Sequence, residues 1–200
     1  YNSIIENLSI ASTEYPINSY WNFDNNTNDQ SGNNRNGVLF RASYVPGKVG
    51  YALNFTPNFK YVGFRPINVS ANGTMEAWIK PNGDYTSKQI LMGGMDNQGT
   101  DNTARYFVLM RETTYYCSSG DWGILISNGS ANQAACSGQV YNASNFPSTT
   151  WKHVAATYNG TTISFYTNGT LIKQVAQTVN VSNGGTYIDF AVGRAGSYNG

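Results

Sequence analysis

Residues 151–169 read Trp-Lys-His-Val-Ala-Ala-Thr-Tyr-Asn-Gly-Thr-Thr-Ile-Ser-Phe-Tyr-Thr-Asn-Gly, and they constrain the fold more than any other stretch. Two runs of β-forming residues flank Asn159-Gly160. Asn-Gly suits the two positive φ angles of a type I′ turn, so the spacing predicts a hairpin. Side chains alternate between the two faces of a strand. Trp151, His153, Ala155 and Thr157 therefore share one face, and Lys152, Val154, Ala156 and Tyr158 the other. In the second run Ile163, Phe165 and Thr167 oppose Ser164 and Tyr166. Both faces carry bulk, which predicts an inner strand pair covered on both sides. A second Asn-Gly, at Asn168-Gly169, turns the chain into residues 171–175 and completes a three-stranded meander.

The same pattern continues through the chain. Strands are expected near 19–24, 37–40, 51–55, 60–65, 73–80, 88–95, 104–112, 121–127, 133–141, 151–158, 162–167, 170–176 and 186–193, with turn clusters between them at the close intervals of a sandwich. No long stretch has a helical period. Trp78, Trp122 and Trp151 fall on strands and are read as core. Residues 1–17 stand apart. Ile4, Ile5, Leu8 and Ile10 suit a strand or a short helix, and Pro16 ends either, so the segment is expected to be a linker or an extra strand. Residues 18–200 are expected to form one domain, a size usual for an undivided all-β sandwich.

Only 12% of the residues are charged and the net charge is +1, with no acidic or basic block. That argues against nucleic acid or an anionic membrane as partner. No run approaches the roughly 18 apolar residues of a membrane span. Asn, Gly, Ser, Thr and Tyr dominate instead, a polarity without charge that suits a secreted or cell-surface protein.

Two further features point the same way. Cys117 and Cys136 are the two cysteines, their spacing fits no metal motif, and a lone pair across a loop suggests a disulfide. Closing such a loop contributes about 3 kcal/mol in the chain-entropy model. The alternative is a pair of reduced, buried thiols. Asn-x-Ser/Thr sequons begin at Asn7, Asn25, Asn54, Asn68, Asn72, Asn128, Asn142, Asn159, Asn168 and Asn180. They suggest a glycoprotein, with Asn54 the poorest acceptor because it lies within a strand. The competing explanation is turn chemistry: Asn72, Asn128, Asn159 and Asn168 precede Gly, where Asn is favoured for its own sake. Between the cysteines and the polar loop 96–102, Tyr115 and Tyr116 lead towards Asp121 and Trp122. A stapled loop bearing adjacent aromatics suits a ligand-facing rim, since a fixed loop loses less entropy on binding. Equally, the staple serves only to stabilise a long insertion.

The hairpin resembles the Trp-x-His-Val-Ala-x-Thr-Tyr-x-Gly signature of laminin-G-like jelly rolls, within the concanavalin A-like lectin/glucanase superfamily. Other pieces match in order: Tyr20-Trp21-Asn22-Phe23-Asp24, Asp29-Gln30-Ser31-Gly32-Asn33 with Asn36-Gly37, Gly50-Tyr51-Ala52-Leu53-Asn54-Phe55, and Met75-Glu76-Ala77-Trp78-Ile79-Lys80-Pro81. The similarity runs from about residue 20 to residue 193. It implies an all-β, two-sheet antiparallel jelly-roll sandwich, and for His153 a structural hydrogen-bonding role.

The resemblance also makes departures visible. Glucanases of the superfamily carry paired acids as Glu-x-Asp-x-x-Glu or Glu-x-Asp-x-Glu on one strand, and glycosidases need two such carboxylates. Here Glu76 stands alone, and no Gly-x-Ser-x-Gly elbow accompanies the single His153. No catalytic residues and no enzyme activity are therefore expected. Many members hold a structural calcium through an Asp just after the Ala-Leu-x-Phe strand. Thr56 follows Phe55 here, which leaves Asp24, Asp29 and Asp96 as oxygen donors for a hard cation that wants several converging. No cofactor or metal is assigned, and structural calcium stays the minority alternative. Family members end on a further strand after the Val-Gly-Arg stretch; here Val192-Gly193-Arg194 runs into residues 195–200. Two expectations follow: a longer parent protein, or an exposed sheet edge filled by another subunit's residues 1–14. The function expected overall is a non-catalytic extracellular recognition or adhesion module that binds glycans or surface proteins. The alternative is a glycosylated structural subunit of a surface filament or layer, assembled by strand exchange.

Overall fold

In the computed structural model, the described residues are 3–12, 15–56, 60–67, 72–85, 89–95, 105–111, 117, 120–128, 132–178 and 188–192. Among them there is no α-helix. The strands are β1 (Ser3–Ser12), β2 (Tyr15–Trp21), β3 (Gly37–Phe40), β4 (Ser43–Pro46), β5 (Tyr51–Asn54), β6 (Tyr61–Ile67), β7 (Asn72–Pro81) and β8 (Gln89–Met95). They continue as β9 (Arg105–Arg111), β10 (Asp121–Asn128), β11 (Asn132–Val140), β12 (Lys152–Asn159), β13 (Thr162–Thr167), β14 (Thr170–Ala176) and β15 (Ile188–Val192). All pairings are antiparallel.

Two sheets result. The larger runs β14-β13-β12-β7-β1-β5-β4, with β2 also paired to β1. The smaller runs β11-β10-β9-β8-β15-β6-β3. This is the sandwich that the alternating pattern predicts. Residues 3–12 form a strand in the interior of the larger sheet. β4 was not anticipated: four residues ending on Pro46 carry too little alternation to stand out.

β7 shows how the layers are made. Its burial alternates without a break, with Gly73, Met75, Ala77, Ile79 and Pro81 inward and Asn72, Thr74, Glu76, Trp78 and Lys80 outward. β12 pairs with it from Lys152↔Ile79 to Asn159↔Asn72, placing Val154, Ala156 and Tyr158 on the same inner face. The core between the sheets gathers Ile5, Trp21, Phe23, Leu53, Phe55, Trp122, Phe146 and Phe165, all fully buried. Trp122 from the smaller sheet meets Phe165 from the larger edge-on, ring centroids 5.2 Å apart. Trp21 packs on Phe64 at 4.0 Å. Fully burying each such ring contributes on the order of 2–3 kcal/mol, so these cross-layer pairs hold the layers together.

The hairpins correct one expectation. Asn168 and Gly169 both adopt positive φ (50° and 77°), as a type I′ turn requires. At the first reversal only Gly160 does (88°). Asn159 remains in β12, and the turn residues are Gly160 and Thr161. Asn159 serves instead through its side chain: Oδ1 accepts hydrogen bonds from the N–H groups of Thr161 and Thr162 and from the Thr161 hydroxyl. The hairpin is also covered on one side only. Its inner face is buried, whereas Trp151, His153, Thr157 and Tyr166 on the opposite face stay half-buried.

Cys117 and Cys136 form a disulfide with Cα atoms 5.6 Å apart. Gly123 of β10 makes room for it. A Cβ there would lie 2.5 Å from the Ala135 carbonyl oxygen and 3.1 Å from Cys117 Sγ. The first of these is backbone and cannot swing aside. Gly123→Ala should therefore destabilise the domain by about 1–3 kcal/mol, the usual cost of forcing atoms into a packed interior. Chemical denaturation of the oxidised protein should show a lowered midpoint with an unchanged slope; an unaltered midpoint would show that β10 and β11 separate freely.

Candidate functional site

Among the positions singled out in the sequence, the structure separates scaffold from surface. Trp122 is a scaffold residue: it is fully buried, and its indole N–H donates to Gln139 Oε1 at 3.2 Å. The expectation that it contacts a ligand is corrected, because its inward position on β10 turns the ring into the core. Asp121 beside it is half-buried, and burial raises its carboxyl above the usual carboxylate range, partly offset by the nearby Lys173 cation and by the Gly138 backbone. Tyr115, Tyr116 and the loop 96–102 lie outside the described residues.

Asp29 is a second scaffold residue. Its Oδ1 accepts from the N–H groups of Tyr20 (3.0 Å) and Ser31 (2.9 Å), and its Oδ2 from Arg35 (3.0 Å). Burial alone would raise its carboxyl, but hydrogen bonds from Ser31 and from the three backbone N–H groups outweigh that and hold it below the usual value. Its own N–H donates to Asn36 Oδ1 at 2.9 Å. The Asp-x-Ser-Gly-Asn loop is thus a carboxylate-centred turn. Three backbone donors already engage its two oxygens, so Asp29 is committed to holding the loop. Asp96 is outside the described residues, and among the described residues no three His, Cys, Asp or Glu side chains converge. Among the described residues, that donor set does not fit the superfamily's calcium site.

The sequons fall at several places. Asn159 and Asn72 are register partners at one end of β12 and β7. Asn168 is exposed at the other end of the hairpin, its Oδ1 accepting from the His153 N–H at 2.9 Å. Asn142 Oδ1 accepts from the N–H groups of Ser144 and Asn145. Asn25 is exposed with φ of 55°. Asn7 and Asn128 lie within β1 and β10, while Asn68 and Asn180 fall outside the described residues.

The arrangement with chemical potential lies on the outward face of the larger sheet. Register places Trp78 opposite His153, their rings 5.3 Å apart and tilted by 55°. One residue pair along that face, Lys80 Nζ sits 5.6 Å from the centroid of the Trp151 ring. Lys48 Nζ lies over Trp78 at 4.5 Å. On the opposite side of the Trp78–His153 pair, Glu76 Oε2 is 3.5 Å from His153 Nε2. Ala155, the register partner of Glu76, adds no bulk above it. Two half-buried indoles are thereby ringed by two ammonium groups, an imidazole and a carboxylate. Such a surface stacks a flat or weakly polar ring and hydrogen-bonds its edge. Reading all three tryptophans as core missed this. The signal was available in parity: Trp78 shares its strand face with Glu76 and Lys80, and Trp151 shares its face with His153.

Comparison with known proteins agrees with this architecture. Residues 57–200 match the Laminin_G_3 family, described as the concanavalin A-like lectin/glucanases superfamily. No curated protein sequence matches. Among solved structures, domain 4 of AbnA, a GH43 extracellular arabinanase from Geobacillus stearothermophilus, in complex with arabinotriose, is similar with a TM-score of 0.63. The identity is 18%, over 94% of this chain and 84% of that one. A botulinum neurotoxin type C structure, whose title concerns cell entry through two ganglioside molecules, gives a TM-score of 0.56 at 14% identity, over 93% of this chain and 42% of that one. At these identities the likeness is one of fold.

Replacing Asp29 by Ala should leave three backbone donors without their acceptor and lower stability by about 2 kcal/mol. Acid should mimic it. Because the folded carboxyl lies below its unfolded value, its contribution is present above about pH 4 and fades as pH falls through the folded pKa. Urea melts at pH 7 and pH 3 should show a smaller difference in Asp29→Ala than in wild type; equal differences would remove Asp29 from the acid response.

Proposed function

Because this chain belongs to the concanavalin A-like lectin/glucanases superfamily, through its Laminin_G_3 family, we propose that it is a non-catalytic recognition domain that binds glycans. One observation supports this above the others: the outward pair of half-buried tryptophans, Trp78 and Trp151, with Lys48, Lys80, His153 and Glu76 around them. A sugar presents an apolar ring face to an indole, and hydroxyl or acidic groups to ammonium and carboxylate. The absence of catalysis is part of the proposal. Glycoside hydrolysis needs two carboxylates held across the scissile bond. In this chain Glu76 stands beside His153, Asp29 is occupied by backbone donors, and Asp121 is half-buried beside Lys173.

We place the domain outside the cytosol, as a secreted or cell-surface module of adhesion that meets glycans or surface proteins. The disulfide supports that placement, as do the exposed sequons at Asn25, Asn159 and Asn168, which make it a candidate glycoprotein.

A glycan array followed by titration calorimetry tests the glycan-binding reading. Saturable binding of at least one saccharide is expected. Trp78→Ala should weaken it at least about tenfold, equivalent to roughly 1.4 kcal/mol, with little change in thermal midpoint because the ring is half-buried. A wild-type protein that binds no saccharide overturns the reading.

A further inference from the structure

The sequence holds eight Asn-Gly pairs, and five of them, beginning at Asn36, Asn72, Asn82, Asn159 and Asn168, fall wholly within the described residues. The pair has a chemistry of its own. The glycine nitrogen, unshielded by any side chain on its residue, can attack the asparagine Cγ and close a cyclic imide. A fold opposes this where the backbone N–H or the side-chain oxygen is already bonded, or where a strand ladder fixes the backbone between the two residues.

Four of the five pairs meet that opposition. Gly37 N–H donates to the Thr27 carbonyl at 2.7 Å, and Asn36 Oδ1 accepts from the Asp29 N–H at 2.9 Å. Asn72 and Gly73 lie in β7, as register partners of Asn159 and Tyr158. Asn159 ends β12, and the Thr161 and Thr162 N–H groups on its Oδ1 belong to the far side of its hairpin. The Asn168 N–H donates to the His153 carbonyl and its Oδ1 accepts from the His153 N–H, each at 2.9 Å. In every case, bringing the nitrogen to Cγ first breaks a hydrogen bond or a strand pair.

Asn82-Gly83 differs. It follows Pro81, the last residue of β7, and lies in no strand. Both residues are exposed. Gly83 has φ of 96°, and among the described residues nothing lies within 4 Å of where its Cβ would stand. Asn82 Oδ1 accepts from the Asp84 N–H at 3.1 Å. That bond closes a turn across the glycine through the side chain. It also aims a donor at the oxygen on which negative charge develops during attack. The side chain is held beside the nitrogen it must meet, with space around both.

We propose that Asn82 is a site of spontaneous covalent modification, through a succinimide formed with Gly83. Gly83 N gives up its proton and bonds to Asn82 Cγ. The Cγ–Nδ2 bond breaks, and the amide nitrogen takes up that proton and leaves as ammonia. Water then opens the imide. Opening at one carbonyl gives an aspartate; opening at the other gives an isoaspartate, with the backbone routed through the side chain. No oxidant, metal or second protein enters. Either product adds a carboxylate close to Asp84 and lies two residues from Lys80, which flanks Trp151. The proposal stands apart from the glycan reading and does not depend on it.

The test uses the wild-type full chain. The folded protein is incubated at mildly alkaline pH, where the attacking nitrogen loses its proton more readily. Proteolysis and mass spectrometry then follow the conversion of amide to acid and the appearance of isoaspartate. The peptide carrying Asn82 should convert at least about tenfold faster than those carrying Asn36, Asn72, Asn159 and Asn168, which must first open a bonded structure. Equal rates, or faster conversion at any of those four, overturn the proposal. A parallel incubation in denaturant removes the fold. There the five rates should draw together, since glycine follows each asparagine. A preference for Asn82 that survived unfolding would belong to local sequence and would overturn the structural argument.

Discussion

The structure depends on the two-sided occupation of β7. Its alternation is complete over ten residues, so one face can enter the core and the other must meet whatever lies outside. Of its inward residues, Met75, Ala77 and Ile79 join the core cluster. β12 and β1 then extend the same inner face from either side. Once those three strands are in register, the direction of every side chain in the larger sheet is set, because a one-residue slip would exchange core for solvent.

From that register comes the separation between scaffold and surface. Trp122 and Trp21 point inward and serve packing, each with its indole N–H given to an oxygen: Gln139 for one, the Arg35 carbonyl for the other. Trp78 and Trp151 point outward and keep company with Lys48, Lys80, His153 and Glu76. The residue type is the same and the difference is parity alone. Asp29 shows the same logic among carboxylates: held by three backbone N–H groups, it organises a loop.

Much of the fold was legible in the sequence because alternation and turn residues are local. The 168–169 turn, β7, β12 and β13 could be read from a few neighbouring residues each. What local pattern does not carry is which strands become neighbours. Residues 1–17 suit a linker or an extra strand on local grounds, because nothing within them tells that β7 and β5 leave a place between them. β4 is too short to show alternation. The outward tryptophans are legible from parity, against the general tendency of aromatic residues on strands to be core. Asn159 was read for its backbone, whereas its side chain carries the work. The disulfide was readable from the lone cysteine pair, but Gly123, which lets it lie flat, was not, because its neighbours are distant in sequence.

β1 is an integral strand of the larger sheet, hydrogen-bonded to β7 on one side and to β5 and β2 on the other. Native-state hydrogen exchange measures this directly, since protection reports the free energy of opening each strand. The amides of residues 4–10 should exchange as slowly as those of β7. Exchange of that segment at the rate of free chain, with β7 and β12 still protected, would contradict it.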